Sequence, residues 1–134
     1  TNKYLKIIYN KIIMKKILLD TSFILSALKY KIDIKSELNN IIDEKFSTHY
    51  IDKTLTELKG KPLEKLAKDI LKKINAKKII THENKNVDSL LILHSEANKD
   101  VLVATQDKRL KEKLKKRNVG LITIRQKKYL KITN

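Results

Sequence analysis

Two apolar runs in this chain each break off into polar residues that include a carboxylate. Ile17-Leu18-Leu19 runs into Asp20-Thr21-Ser22, and Val101-Leu102-Val103-Ala104 runs into Thr105-Gln106-Asp107. A short, unbroken apolar run suits a strand buried on both faces, and such strands belong to parallel sheets covered by helices. The polar residues that follow are fitted to start a helix, with Thr21 or Ser22 as the cap of the first one. A strand that passes directly into a helix leaves the linking acid at the carboxyl end of the strand, where open α/β sheets bind their ligands. One Asp in that place is ordinary turn or capping chemistry. A second, on a strand of the same kind, points to a shared crevice.

The rest of the chain supplies the alternation that such a sheet needs. Helices are predicted over 23–30 and 34–44, then a strand over 46–51 that leads into a helix starting at Asp52 or Thr54. Thr54-Leu55-Thr56-Glu57 has the spacing of a capping box. Gly60 is expected to stop that helix and Pro62 to open the next, with Leu63, Leu66, Ile70 and Ile74 facing inward. A strand over 77–81, a loop over 82–86 and a helix from Asp88 follow, the last with Leu90, Leu91, Leu93 and Ala97 inward. After the strand over 101–105 come a basic helix over 107–117, anchored by Leu110 and Leu114, a final strand over 120–124 and a basic tail over 125–131. Strand–helix alternation of this kind predicts an α/β fold, a doubly wound parallel sheet of about five strands with helices on both faces. Residues 1–13 read as an N-terminal extension, with Met14 as the natural start and 14–134 as the domain. Tyr4, Leu5, Ile7, Ile8, Ile12 and Ile13 are expected to form an amphipathic turn or strand docked on the body.

Composition then narrows the function. The 134 residues suit one domain, and a net charge of +16 favours a polyanionic partner, nucleic acid first. There is no cysteine, which excludes disulfides and thiolate metal sites and fits a cytoplasmic location. The apolar runs are too short to cross a bilayer, so no membrane is expected. The only glycines are Gly60 and Gly120, too few for a phosphate-binding loop. His49, His82 and His94 lack metal-ligand spacing, and Ser22 has no evident histidine partner for nucleophilic catalysis.

Four acids stand at strand ends or near helix starts: Asp20, Glu57, Asp88 and Asp107. A carboxylate cluster without Cys or a usable His set is ligand chemistry for Mg2+ or Mn2+. Crowded carboxylates repel, so at least one is expected to hold its proton to a higher pH than usual. Lys108 and Arg109, in the first turn after Asp107, are the expected grips for nucleic-acid phosphates, with Lys127 and Lys128 further out. Few aromatic residues are available for stacking, so recognition is expected to rest on backbone charge and the shape of the nucleic acid.

The segments around these acids resemble the PIN-domain ribonuclease family. They are Ile17-Leu18-Leu19-Asp20-Thr21-Ser22, Leu55-Thr56-Glu57-Leu58, Val87-Asp88 and Ala104-Thr105-Gln106-Asp107, and the resemblance covers Met14 to the C-terminus. It implies a three-layer αβα fold and a metal-dependent endoribonuclease. Asp20, Glu57, Asp88 and Asp107 would be its catalytic, metal-binding acids, and Ser22 and Thr105 its supporting hydroxyls. Many relatives carry a second acid where Ser89 stands and Asn where Ser22 stands; Ser89 bears on whether one metal ion is held or two. Val119 to Leu130 is similar to the archaeal branch related to the Fcf/Utp-type rRNA-processing nucleases, while VapC-type toxins share the fold and the acids. An rRNA-processing enzyme, a toxin ribonuclease and a catalytically silent RNA-binding or assembly module all stay open. So do a homodimer, an antitoxin and a ribosome-assembly factor as partners beside RNA.

Overall fold

The computed structural model describes residues 2–12 and 14–134. Strands β1 (Lys15–Leu19), β2 (Phe46–Ile51), β3 (Lys77–Ile79), β4 (Val101–Ala104), β5 (Gly120–Arg125) and β6 (Tyr129–Thr133) form one sheet, in the order β3-β2-β1-β4-β5-β6. All neighbours pair parallel except β5 and β6. The helices are α1 (Lys3–Ile12), α2 (Thr21–Lys29), α3 (Ile34–Ile41), α4 (Asp52–Leu58), α5 (Glu64–Lys73), α6 (Val87–Glu96) and α7 (Lys108–Lys116). None of the described helices is long and apolar enough to cross a membrane.

The apolar runs do what their lack of alternation requires. Ile17 and Leu19 of β1 face a core shared with α2, α3 and α5, whereas Leu18 faces a second core shared with α6 and α7. In β4, Leu102 and Ala104 face the first core and Val101 and Val103 the second. Strands sealed on both faces have no polar side to offer, which is why these runs carry no period-two signal. The order of the strands reverses between β1 and β4, so Asp20 and the residues after Ala104 leave adjacent strands at the switch point.

Several expectations need correction. The sheet has six strands rather than about five, because the segment read as a basic tail is a hairpin. Gln126 and Lys127 take φ of 51° and 57°, and the Lys128 N–H closes the turn on the Arg125 carbonyl at 3.0 Å. Leu130, 2% exposed, then pairs with Ile124. In α5 the inward residues are Ala67 and Leu71, followed by Ile74 at its C-cap, while Leu66 is 52% exposed. In α6 they are Val87, Leu90, Leu91 and Ser95, with Leu93 and Ala97 turned outward. Residues 3–12 form a helix rather than a strand or single turn, and Tyr4, Leu5, Ile7 and Ile8 are exposed rather than docked. Ile13 and the side chain of Ile12 lie outside the described residues.

The capping box also fails. Helix α4 starts at Asp52, its N-cap residue Ile51 makes no side-chain cap, and Thr54 lies inside the helix. Its hydroxyl is buried without a hydrogen-bond partner among the described residues. Thr54→Val keeps the branched shape and removes the unpaired hydroxyl, so it is expected to stabilise the fold by about 1 kcal/mol. A urea titration checks this, and a loss of stability would mean that the hydroxyl has a partner in solution.

Candidate active site

Asp20 occupies the N-cap position of α2, yet its side chain makes no cap. Only its backbone serves the helix, accepting from the Ile24 N–H at 3.1 Å. The carboxylate is turned instead toward two hydroxyls. Ser22 Oγ donates to Oδ2 at 2.6 Å, and Thr105 Oγ1 donates to the same oxygen at 2.7 Å. These hydroxyl directions are set from behind. Ser22 Oγ accepts from the Gln106 N–H at 3.1 Å and Thr105 Oγ1 from the Asp107 N–H at 3.0 Å, so each hydroxyl hydrogen is left for Asp20. Neither Thr21 nor Ser22 caps α2 as expected; both lie in its first turn and hold acids.

The other acids are placed by separate elements. Thr21 Oγ1 donates to Glu57 Oε2 at 2.8 Å, which ties α4 to the start of α2. Asp107 is the N-cap of α7, with Oδ1 accepting from the Leu110 N–H at 3.1 Å. For this acid the capping role is real, but it uses one oxygen of two. Asp88 stands in the first turn of α6, whose cap is Asn86 accepting from the Ser89 N–H at 2.9 Å. Its pKa is raised, first by burial and then by the charges of Asp20, Asp107 and Glu57, with Lys113 acting the other way. The four acids therefore share one electrostatic neighbourhood.

That shift has a sign for stability. An acid whose folded pKa exceeds its unfolded value costs stability at neutral pH, and the cost disappears as pH falls through the raised value. Asp88→Asn is therefore expected to raise the melting temperature at pH 7 and to leave it unchanged at a pH below the ordinary carboxylate range. The opposing effect is loss of a negative charge from a helix start, about 0.3–1 kcal/mol. Lower stability at pH 7 would show that the helix effect outweighs the repulsion.

Each of the four carboxylates keeps at least one oxygen that takes no hydrogen bond from the described residues. Hard oxygen donors with vacant lone pairs fit Mg2+ or Mn2+, and Mg2+ commonly takes only one or two carboxylates and fills its other positions with water and phosphate oxygens. Among the described residues no three acid or histidine side chains are arranged to hold an ion by themselves, so any ion here would draw on water or substrate as well.

Lys108 and Arg109 are exposed in the first turn of α7, directly after Asp107. Lys127 and Lys128 are exposed on the β5–β6 turn, with the Lys127 ammonium 5.8 Å from the centre of the Tyr30 ring. Three participants escaped the sequence reading: Thr21 as the holder of Glu57, Lys113 as the cation facing Asp88, and Gln106 as the support of Ser22. Only Gln106 carried a signal, its place between Thr105 and Asp107.

Residues 17–127 match the family described as the PIN like domain, and the chain belongs to that family. The mostly parallel sheet covered by helices agrees with the α/β fold expected from the sequence. Among known proteins, the chain is 35% identical over 129 residues to Ribonuclease VapC4 of Methanocaldococcus jannaschii, covering 89% of this chain and 97% of that protein. The solved structure of the PIN domain endonuclease Utp24 superposes with a TM-score of 0.77 at 24% identity, over 87% of this chain and 90% of that one. The second likeness is one of fold.

Proposed function

We propose that this protein is an endoribonuclease that hydrolyses RNA phosphodiester bonds with the help of a divalent cation, Mg2+ or Mn2+. The observation that carries the reading is the orientation of Asp20. A helix-start acid that served only the helix would cap it, whereas this one is turned away and held by Ser22 and Thr105. Asp20, Glu57, Asp88 and Asp107 would offer the carboxylate oxygens of the cation site, completed by water and phosphate oxygens, and the cation when bound supplies Lewis acidity toward a phosphate. The chain's own part is to fix the carboxylates before substrate arrives and to hold the RNA strand. Thr21, Ser22 and Thr105 do the first, and Lys108, Arg109, Lys127 and Lys128 the second. Incubation of the full chain with labelled RNA, with and without a chelator, tests this. Internal cleavage that the chelator stops is expected, and binding without cleavage would favour the silent RNA-binding module.

Identity along nearly the whole of a protein named VapC4 supports a toxin-type role with an antitoxin partner over rRNA processing, for which the support is fold likeness. A small reading frame beside the gene, whose product binds the protein and stops cleavage, is the outcome expected. A protein that cuts only precursor rRNA and has no such neighbour would reverse the choice.

If backbone charge governs RNA binding, the log–log slope of affinity against salt is about −0.7 per phosphate neutralised on a single strand. Replacing Lys108 and Arg109 by Ala is expected to flatten that slope by about 0.7 for each phosphate left without its cation, with unchanged unfolding because both are exposed. An unchanged slope would remove the start of α7 from the RNA surface.

A further inference from the structure

On both flanks of the carboxylate cluster the backbone pairing of the sheet stops and a side chain continues it. Strands β2 and β3 pair as far as Ile51 and Ile79. One residue past β2, at the start of α4, the Asp52 carboxylate takes over as acceptor. Thr81 donates its N–H to Oδ2 at 3.0 Å and its hydroxyl to Oδ1 at 2.7 Å. The next side chain extends the tie, since Lys53 Nζ donates to the carbonyls of Glu83 at 2.5 Å and Lys85 at 2.9 Å. Helix α4, which carries Glu57, is thus bound to the segment leading into Asn86, the cap of the helix that carries Asp88. The bonds from Thr81, backbone first, hold the Asp52 carboxyl below its ordinary pKa, as befits a charged acceptor.

The other flank repeats the device. Strands β4 and β5 pair as far as Ala104 and Ile122, and the Thr105 N–H reaches the Ile122 carbonyl at 3.1 Å. Gln106 then continues with its side chain, Oε1 accepting the Ile124 N–H at 2.7 Å and Nε2 donating to the Ile124 carbonyl at 3.4 Å. Its own N–H goes the opposite way, to Ser22 Oγ. Gln106 therefore sits between β5 and the hydroxyls that orient Asp20, with Thr105 before it and Asp107 after it.

We propose that Asp52 and Gln106 are positioning residues that act as side-chain extensions of the sheet. Asp52, aided by Lys53, sets Asp88 against Glu57, and Gln106 sets Thr105 and Asp107 against Asp20. The proposal rests on the nuclease reading for its kinetic consequence and on geometry alone for its structural one. A residue that merely stabilised a loop would change melting without loosening the hydrogen bonds that place the acids.

The test uses the full chain with Gln106→Met, which keeps length and loses both bonds, and the pair Thr81→Val and Thr81→Ser, of which only the second keeps the hydroxyl. Amide exchange is read at Asp107 for Gln106→Met and at Ser89 for the Thr81 variants, since neither amide touches the substituted side chain. Faster exchange by about tenfold is expected at each reporter in Gln106→Met and Thr81→Val, with parental rates in Thr81→Ser. The kcat for RNA cleavage is expected to fall by about 10–100-fold in the same two variants, with KM within about twofold. Parental exchange at the reporter amides, or unchanged kcat beside a lowered melting temperature, would overturn the proposal. If the parent itself cuts no RNA, the nuclease reading falls and the exchange results alone decide this one.

Discussion

Asp20→Asn is expected to abolish RNA cleavage while the protein stays folded. The amide oxygen of Asn can accept the same two hydroxyl bonds from Ser22 and Thr105, so the shape of the site persists. What changes is the other end of the side chain, where a negatively charged acceptor becomes a neutral donor. Losing one placed electrostatic group typically costs on the order of 10²–10³-fold in rate, and here the group would also hold the cation. Stability is expected to move by less than about 1 kcal/mol, because weaker bonds to the hydroxyls are offset by relief of the repulsion on Asp88. A cleavage time course and a urea titration on one preparation separate the two effects. A folded mutant that cuts at the parental rate would remove Asp20 from the chemistry.

Phe23→Ala is expected to give the largest loss of stability among single substitutions in α2, about 3–5 kcal/mol. Phe23 is fully buried in the first core, on the turn that also presents Thr21 and Ser22. A domain of this kind has about 5–15 kcal/mol in total, so the variant would stand near the edge of folding and lose the site with it. Leu66→Ala is the control: Leu66 is exposed, and a surface change of that kind usually stays within about 0.5 kcal/mol. Urea midpoints decide, and comparable losses at the two positions would mean that Leu66 faces inward, as its apolar spacing first suggested.

That spacing shows where sequence reasoning holds and where it does not. Buried parallel strands were legible because Ile17-Leu18-Leu19 and Val101-Leu102-Val103-Ala104 allow no exposed face, and their pairing brings Asp20 beside Thr105 at adjacent strand ends. Of the residues expected to face inward around α5, Ile74 is buried and Ile70 packs on the core, but Leu66 is exposed and the packing takes the small Ala67, fully buried, together with Leu71. Only the partner helix makes a small residue the better one to bury. Strand β6 was hidden because Tyr129, Lys131 and their lysine neighbours mask the inward Leu130. The apparent capping box at Thr54 and Glu57 arose because a three-residue spacing occurs inside helices as well as at their starts. The ties made by Asp52 and Gln106 leave no periodic trace, since a side chain that bonds a neighbouring strand's backbone can be recognised only once the strands are placed.

If the carboxylates around Asp20 act as one cation site, thermal melting of the parent and of Asp20→Asn across a Mn2+ titration will show it. A cation that binds only the folded state stabilises it by about 2.7 kcal/mol when the free ion is at a hundred times its dissociation constant. The parent is expected to show a melting temperature that climbs steadily with Mn2+, and Asp20→Asn to lose most of that climb while starting from an equal or higher value without metal. A parent indifferent to Mn2+, or a mutant that climbs as steeply, would mean that these carboxylates do not hold the cation.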